Sequence, residues 1–315
     1  MSSVKKDSHI HICLKGHVDG DISNGLEKYR FSHRALPEIN LGEVDTRVKF
    51  MGKRLEAPIL IAPMTGGSEQ GKSINRTLAR AAQDLGIAMA VGSQKIAIEE
   101  PLLAHTFEVR DVAPDILLFA NLGAIQLNNG FGMGECTGVL EMIRADALML
   151  HLNPLQEALQ ENGNCNFSGL LSKVEEVISI IDCPVILREV SCGISEKVAM
   201  EMVATGAAGI DVGGSGGTSW ALVEGEVNNS QRIKRLARSF SSWGISTAES
   251  IGNVRAVDKK LPLIATGGIR TGVEIATAIV LGADVVGIAR PLLPLAMDSV
   301  DVVVDYLKGI IEGLR

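Results

Sequence analysis

The stretch LIATGGIRTGVEIATAIVLGADVVGIAR, residues 263–290, holds one complete strand–helix–strand unit. Leu263–Thr266 and Val285–Ile288 are short apolar runs, the composition of strands buried on both faces of a parallel sheet. Between them Gly272–Leu281 reads as a helix stopped by Gly282. Moving back along the chain, the same rhythm places strands at Ile59–Ala62, Ala88–Val91, Leu117–Ala120, Ala147–His151, Val185–Glu189 and Gly209–Val212. Helical patterns at Gly71–Leu85, Leu170–Ile181 and Ser195–Ala204 alternate with them. Eight such units predict an α/β fold, a TIM (β/α)8 barrel rather than an open doubly wound sheet.

Length agrees. A barrel of this kind takes about 250 residues before insertions, and the chain has 315. Residues 1–57 precede the first barrel strand and read as an N-terminal arm plus a cap over the barrel's bottom; residues 58–315 form the barrel, in one domain overall. Gly213–Thr247 is too long for an ordinary connection and predicts a long loop after the sixth strand. It is polar at Asn228–Ser230, then basic and helical at Arg232–Arg238, which suits a lid or a subunit contact.

Composition removes several classes of function. With 46% apolar residues the chain can bury a core, and a net charge of −7 argues against non-specific binding to nucleic acid or anionic membranes. Aromatics, at 3%, are too few for a base-stacking platform. The longest apolar stretch, Ile275–Ala289, is interrupted by Asp284 and too short to span a bilayer. Cys13, Cys136, Cys165, Cys183 and Cys192 make no CxxC pair, and the first ten residues lack an apolar signal core; a reduced cytoplasmic protein is expected.

Barrel enzymes carry their chemistry where strands end. Gly267-Gly268-Ile269-Arg270 follows the seventh strand and opens a helix, and Ala289-Arg290 follows the eighth. Glycine-rich backbone at a helix start binds anions, and these two loops are where barrels hold phosphate. Thr65, Ser93 and Asn121, at the ends of the first three strands, form a neutral hydrogen-bonding set suited to an isoalloxazine ring, although Thr65 and Ser93 would also serve as helix caps. Arg188 would stabilise negative charge on a reduced flavin. FMN is the ligand this combination favours.

A second constellation follows the fourth strand: His151, Asn153, Gln156 and Glu157. Its oxygen donors suit Mg²⁺, and an acid at a helix start is the plainer alternative. Lys5 and Lys6, beside His9, read first as a solvated tail, with an anion grip as the alternative. Cys192 has no His nearby in sequence to activate it, and His33 and His105 read as structural.

Taken in order, KKDSHI, ALPEINLGEVD, APILIAPMTGG, VGSQ, ANLGAIQLN, ADALMLHLNPLQE, GGSGGTSW, WGISTAESI, TGGIRTG and LGADVVGIARPLL resemble the type 2, FMN-dependent isopentenyl-diphosphate isomerases from Lys5 to Leu293. HLNPLQE is the most specific of them. The resemblance implies a TIM barrel assembled as a homo-oligomer, tetramer or octamer. It implies interconversion of isopentenyl and dimethylallyl diphosphate on FMN reduced by NADPH, with no net redox change and flavin N5 as acid/base. By the same resemblance Met64, Thr65, Gly66, Ser93, Asn121, Arg188, Thr218, Gly267, Gly268, Arg270, Ala289 and Arg290 would hold FMN. His151, Asn153 and Gln156 would be catalytic, and Glu157 would bind Mg²⁺. Lys5, Lys6, Ser93, Gln94, Lys95 and Gln156 would meet the substrate.

This chain departs from the family pattern in five places. Arg188 and Ser191 stand where the family writes Lys and Gly, Lys5 and Lys95 where it writes Arg, and Asn129 where a Tyr is expected beside the prenyl pocket. These changes are expected to cluster at the site. A diverged relative that binds flavin or prenyl diphosphate with altered activity is the alternative. An FMN-dependent hydroxyacid oxidoreductase ranks lower, because no His follows the seventh strand to serve as its base.

Overall fold

Eight parallel strands close on themselves in the computed structural model, which describes residues 3–315. The chain opens with α1 (Ser3–Lys15) and an antiparallel hairpin, β1 (Val48–Phe50) and β2 (Lys53–Leu55). The barrel then runs β3 (Ile59–Ile61), α2 (Glu69–Leu85), β4 (Ala88–Ala90), α3 (Lys95–Glu99), β5 (Leu118–Gly123), α4 (Met133–Ile143) and β6 (Ala147–Leu152). It continues through α5 (Pro154–Leu159), α6 (Leu170–Ile180), β7 (Val185–Glu189), α7 (Glu196–Ala204) and β8 (Gly209–Asp211). Next come α8 (Trp220–Val227), α9 (Gln231–Arg238), α10 (Thr247–Val257) and β9 (Leu263–Thr266). The last elements are α11 (Gly272–Leu281), β10 (Val285–Ile288), α12 (Leu292–Ala296) and α13 (Val300–Leu314). Closure comes from β10 pairing with β3, Val286 opposite Ile59. Among the described residues no helix is long and apolar enough to cross a membrane.

The strands are apolar throughout because they are buried on both faces. Leu60, Ala88, Ala90, Phe119, Met149, Ile186, Ile264 and Val285 pack together as one buried cluster, joined by Phe50 and Leu55 of the hairpin. Ile59, Ile61, Met89, Leu118, Leu148, Leu187, Leu263 and Val286 pack instead with residues of the surrounding helices. The hairpin therefore closes one end of the barrel. Lys53 Nζ fastens it there, donating to Ile116 O at 2.9 Å and pairing with Asp146 at 2.8 Å.

Two arginines, Arg110 buried and Arg255 half-buried, do matching work below the strands. Arg110 donates to Ile116 O at 2.9 Å, Arg144 O at 2.8 Å and Asp146 Oδ2 at 2.9 Å. Arg255 donates to Leu261 O at 2.6 Å, Gly282 O at 2.7 Å and Asp284 Oδ2 at 2.9 Å. Each aspartate also accepts the amide that opens the neighbouring strand, Leu118 or Leu263. This repeat does not show in the sequence, because the partners lie 36 residues apart in one half and 29 in the other. Arg110→Ala takes a donor from four carbonyls and a carboxylate and is expected to cost about 3 kcal/mol, measured by urea denaturation.

The N-terminal arm begins as a helix, and its alternating His9-Ile10-His11-Ile12 lies within α1. The long connection Gly213–Thr247 carries two helices, α8 and α9, the second where the basic Arg232–Arg238 run reads as helical. Ser219 caps α8 through its hydroxyl, which accepts from Leu222 N.

Candidate active site at the barrel mouth

A cavity of about 830 Å³ opens where the strands end, roofed on one side by Lys5, Lys6, His9 and Cys13 of α1. Met64, Thr65, Ser93, Asn121, His151, Arg188, Thr218, Gly267, Gly268, Arg270, Ala289 and Arg290 all line it. So do Lys95, Asn153, Gln156 and Glu157. Strand order thus gathers residues scattered over almost three hundred positions of sequence.

On the glycine-rich side, the loops after β8 and β9 meet backbone to backbone. Gly267 and Gly268 have φ of +123° and +74°, and a Cβ on either would collide with the carbonyl of Gly214 or Gly216. Only glycine permits that approach. The start of α11 is not the open anion site that the sequence suggested. Glu274 already accepts from Arg270 N and Thr271 N at 3.0 Å each, and Thr271 caps the helix. What faces the cavity here is the glycine backbone and the Arg270 and Arg290 side chains.

Arg188 rises from β7 into the cavity, and its Nη1 pairs with Asp211 Oδ2 at 3.3 Å. Asp211 is wholly buried and accepts from Thr266 Oγ1 at 2.6 Å. Burial pushes its carboxyl above the ordinary range, against the pull of Arg188. The adjacent Glu189 carboxyl is pushed up to about 8 by burial, although the amides of Cys192 and Gly193 bond to it. Ser191 takes φ +73°, which explains why a glycine suits this position. Its hydroxyl accepts from Trp220 N at 3.2 Å, tying the loop to α8. Burial, reinforced by Glu189, pushes the Cys192 thiol up to about 12, so it is no nucleophile.

Across the cavity a polar chain runs through α5. Glu224 of α8, only 2% exposed, accepts from Gln156 Nε2 at 2.9 Å. Asn153 Nδ2 donates to Gln156 Oε1 at 2.9 Å and to Glu157 Oε1 at 3.2 Å. Lys5 Nζ and His9 Nε2 of α1 lie 3.5 and 3.2 Å from the Glu224 carboxylate. Burial alone would raise the Glu224 carboxyl, yet His9, Gln156 and Lys5 together hold it below the ordinary range, so it is an anion. Lys6 donates to Ser93 O at 3.3 Å, and burial lowers it to about 8.

His151 Nδ1 lies 2.8 Å from Asn121 Oδ1, and the Asn121 amide donates to Val91 O at 3.2 Å. Burial, with Arg188 and Lys6 nearby, lowers His151 to about 3, so the ring is neutral. The Asn121 contact assigns its proton to Nδ1 and leaves Nε2 as an acceptor. Between pH 6.5 and 3 the unfolded chain therefore binds a proton that the folded chain refuses. Stability is expected to fall as pH drops through that window, and His151→Gln should remove part of the slope of unfolding free energy against pH.

Three readings need correction. Gln94 is fully buried, donating to Val139 O and accepting from Asn121 N, both at 2.9 Å; it supports Asn121 and meets no substrate. Gly66 does not line the cavity; a Cβ there would collide with the Phe107 ring, so its glycine serves packing. Asn129 is exposed and outside the cavity, bonded to Ile125 O at 2.8 Å, so the five departures do not all cluster at the site. Lys95 borders the cavity while pairing with Glu99 at 3.5 Å. Glu224 and Asp211 were missed. Glu224 sits four residues after Trp220 on a helix that the polar context of Gly213–Thr247 concealed.

The residues fit FMN. Thr65 Oγ1 is buried in the cavity wall with no hydrogen-bond partner among the described residues, and two arginines and the glycine loops offer an anion cradle. They also fit Mg²⁺. Asn153 Oδ1 is likewise buried without a partner, on the side chain whose Nδ2 donates to the Glu157 carboxylate. No group of three His, Cys, Asp or Glu forms a metal cage among the described residues. A single carboxylate completed by substrate phosphate oxygens is the usual Mg²⁺ arrangement.

Residues 21–106 and 141–310 match the protein family described as FMN-dependent dehydrogenase. A Nostoc sp. protein named isopentenyl-diphosphate delta-isomerase is 49% identical over 311 residues, 98% of this chain and 89% of that relative. Relatives with the same name from Synechococcus sp. and Rickettsia typhi are 46% and 45% identical, each over 99% of this chain and 90% and 91% of their own length. Among solved structures, a mandelate oxidase superposes with a TM-score of 0.61 at 19% identity, covering 100% of this chain and 92% of its own. An active chimera of (S)-mandelate dehydrogenase gives 0.64 at 18%, covering 97% and 92%. At that distance the oxidases and dehydrogenase share the barrel and nothing narrower.

Proposed function

The chain belongs to the type 2 isopentenyl-diphosphate delta-isomerases, the FMN-dependent kind, and from that premise we propose how its own residues serve the reaction. It interconverts isopentenyl diphosphate and dimethylallyl diphosphate, and its cofactor is FMN. The level of identity over nearly the whole chain favours this activity over a diverged, inactive relative and over a hydroxyacid oxidoreductase.

The reaction moves a double bond by adding one proton and removing another, so it is redox-neutral. Reduced FMN, when bound, supplies the acid and base beside that bond. Thr65, Ser93 and Asn121 hold its ring edge, Arg188 lies where negative charge is stabilised, and Gly267, Gly268, Arg270 and Arg290 take its phosphate. Met64, Thr218 and Ala289 complete the wall. Lys5 and Lys6 grip the substrate diphosphate from α1, and Glu157 with Asn153 holds Mg²⁺ against it. Gln156 is oriented by Glu224 on one side and Asn153 on the other. His151, neutral, donates from Nδ1 to Asn121, offers Nε2 as an acceptor and adds no charge of its own beside Lys6 and Arg188.

The observation that carries this reading is the Glu224–Gln156–Asn153–Glu157 chain facing Lys5 and Lys6 across the same cavity as the glycine cradle. NADPH is the reductant we assign, and the cytoplasm the compartment. A homo-oligomer, tetramer or octamer, is the assembly we assign from the family, and the exposed apolar side chains Tyr29, Phe31, Leu36, Ile39 and Leu41 offer a surface for contact between copies. Omission of one component at a time from an anaerobic assay tests the set. Leaving out FMN, NADPH or Mg²⁺ is expected to abolish isomerisation, and full activity in EDTA would remove the Mg²⁺ role of Glu157.

A further inference from the structure

The segment just after α1 is stitched to both glycine loops. Ser219 N donates to Val18 O at 2.8 Å, Gly20 N to Gly217 O at 3.1 Å, and Asp19 bridges Thr218 in antiparallel fashion. Asn24 Nδ2 donates to Gly268 O at 3.0 Å and to Glu274 Oε1 at 2.8 Å. Within this segment the Asp19 carboxylate forks between two arginines that come from different loops. Its Oδ1 accepts from Arg270 Nη2 at 3.2 Å and its Oδ2 from Arg290 Nη2. Both arginines line the cavity, and Asp19 does not.

That placement decides what the carboxylate does. An acid that mimicked or competed with a bound phosphate would stand inside the cavity. Asp19 stands behind the arginines instead. Two long cations from separate loops repel each other and lose side-chain entropy when fixed, so a shared carboxylate preorganises them. A guanidinium has five N–H donors, and the fork takes one from each, leaving the others for an anion on the cavity side.

We propose that Asp19 is a positioning residue for the FMN phosphate, holding Arg270 and Arg290 as a pair. The proposal rests on the FMN reading of the cavity and extends it to a residue outside the lining. Asp19 also lies four residues beyond α1, so the link that shapes the cradle anchors the helix carrying Lys5 and Lys6.

The test is equilibrium binding of FMN and of riboflavin, which lacks the phosphate, to the full chain stripped of flavin. Asp19→Asn is expected to weaken FMN about tenfold, the equivalent of one or two long side chains left unfixed, and to leave riboflavin within about twofold of wild type. Asp19→Glu should recover much of the loss, and the effect of Asp19→Asn should vanish in an Arg290→Gln background. Melting without flavin monitors the fold, and Asp19→Ser is the second charge-removing variant if Asp19→Asn does not fold. Unchanged or tighter FMN binding in the neutral variants would overturn the proposal, as would equal weakening of both flavins. A wild-type chain that prefers FMN no more than riboflavin would overturn the phosphate cradle itself, and the role of Asp19 with it.

Discussion

Glu224→Gln is expected to lower kcat by about a hundredfold while sparing FMN affinity, within the range that a positioned charge or proton-transfer partner supplies. Glu224 is an anion at 2% exposure, and three side chains depend on it: Lys5, His9 and Gln156. The amide keeps the shape and one acceptor, so Gln156 retains a partner. Lys5 loses its counter-charge and His9 its carboxylate partner, and α1 loses the tie that draws it over the cavity. KM for the diphosphate should therefore rise together with the fall in kcat, because the lysines that meet the substrate ride on that helix. Steady-state kinetics under reducing conditions read both effects, and flavin titration reads the control. A variant within threefold of wild type in kcat/KM would show that the arm closes without Glu224.

Asp211→Ala is expected to destabilise the chain by about 3 to 5 kcal/mol, the cost of leaving one member of a buried ion pair alone. Arg188 Nη1 would keep its burial and lose the carboxylate it pairs with, and Thr266 Oγ1 and Gly213 N would lose their acceptor. The same loss should free the guanidinium at the cavity wall, so FMN binding weakens along with the fold. Arg188→Lys separates the two consequences: it retains a charge for Asp211 and is expected to cost far less stability. Urea denaturation with and without FMN measures both variants. A loss below about 1 kcal/mol for Asp211→Ala would mean that water replaces the carboxylate there.

The barrel was legible because its strands are buried on both faces and so are apolar at every position, a signal that does not depend on partners. The predicted and observed spans coincide at Val185–Glu189, Leu263–Thr266 and Val285–Ile288. Residues at strand ends were also legible as a set, since topology brings all such ends to one mouth. What stayed hidden depends on contacts between distant segments. Gln94 reads as a functional amide until its side chain is seen to bond the backbone of the next strand. Glu224 and Asp19 look like ordinary surface acids until α1 and the glycine loops are folded against them. The Arg110 and Arg255 anchors escaped because loops of unequal length separate each arginine from its aspartate.

The central claim is best tested by NMR of the products formed when purified chain is incubated anaerobically with FMN, NADPH, Mg²⁺ and isopentenyl diphosphate. The account predicts dimethylallyl diphosphate, formed catalytically with no stoichiometric consumption of NADPH. Flavin that binds and is reduced while the substrate stays unchanged would contradict it, leaving the barrel and its cofactor in place and removing the isomerase.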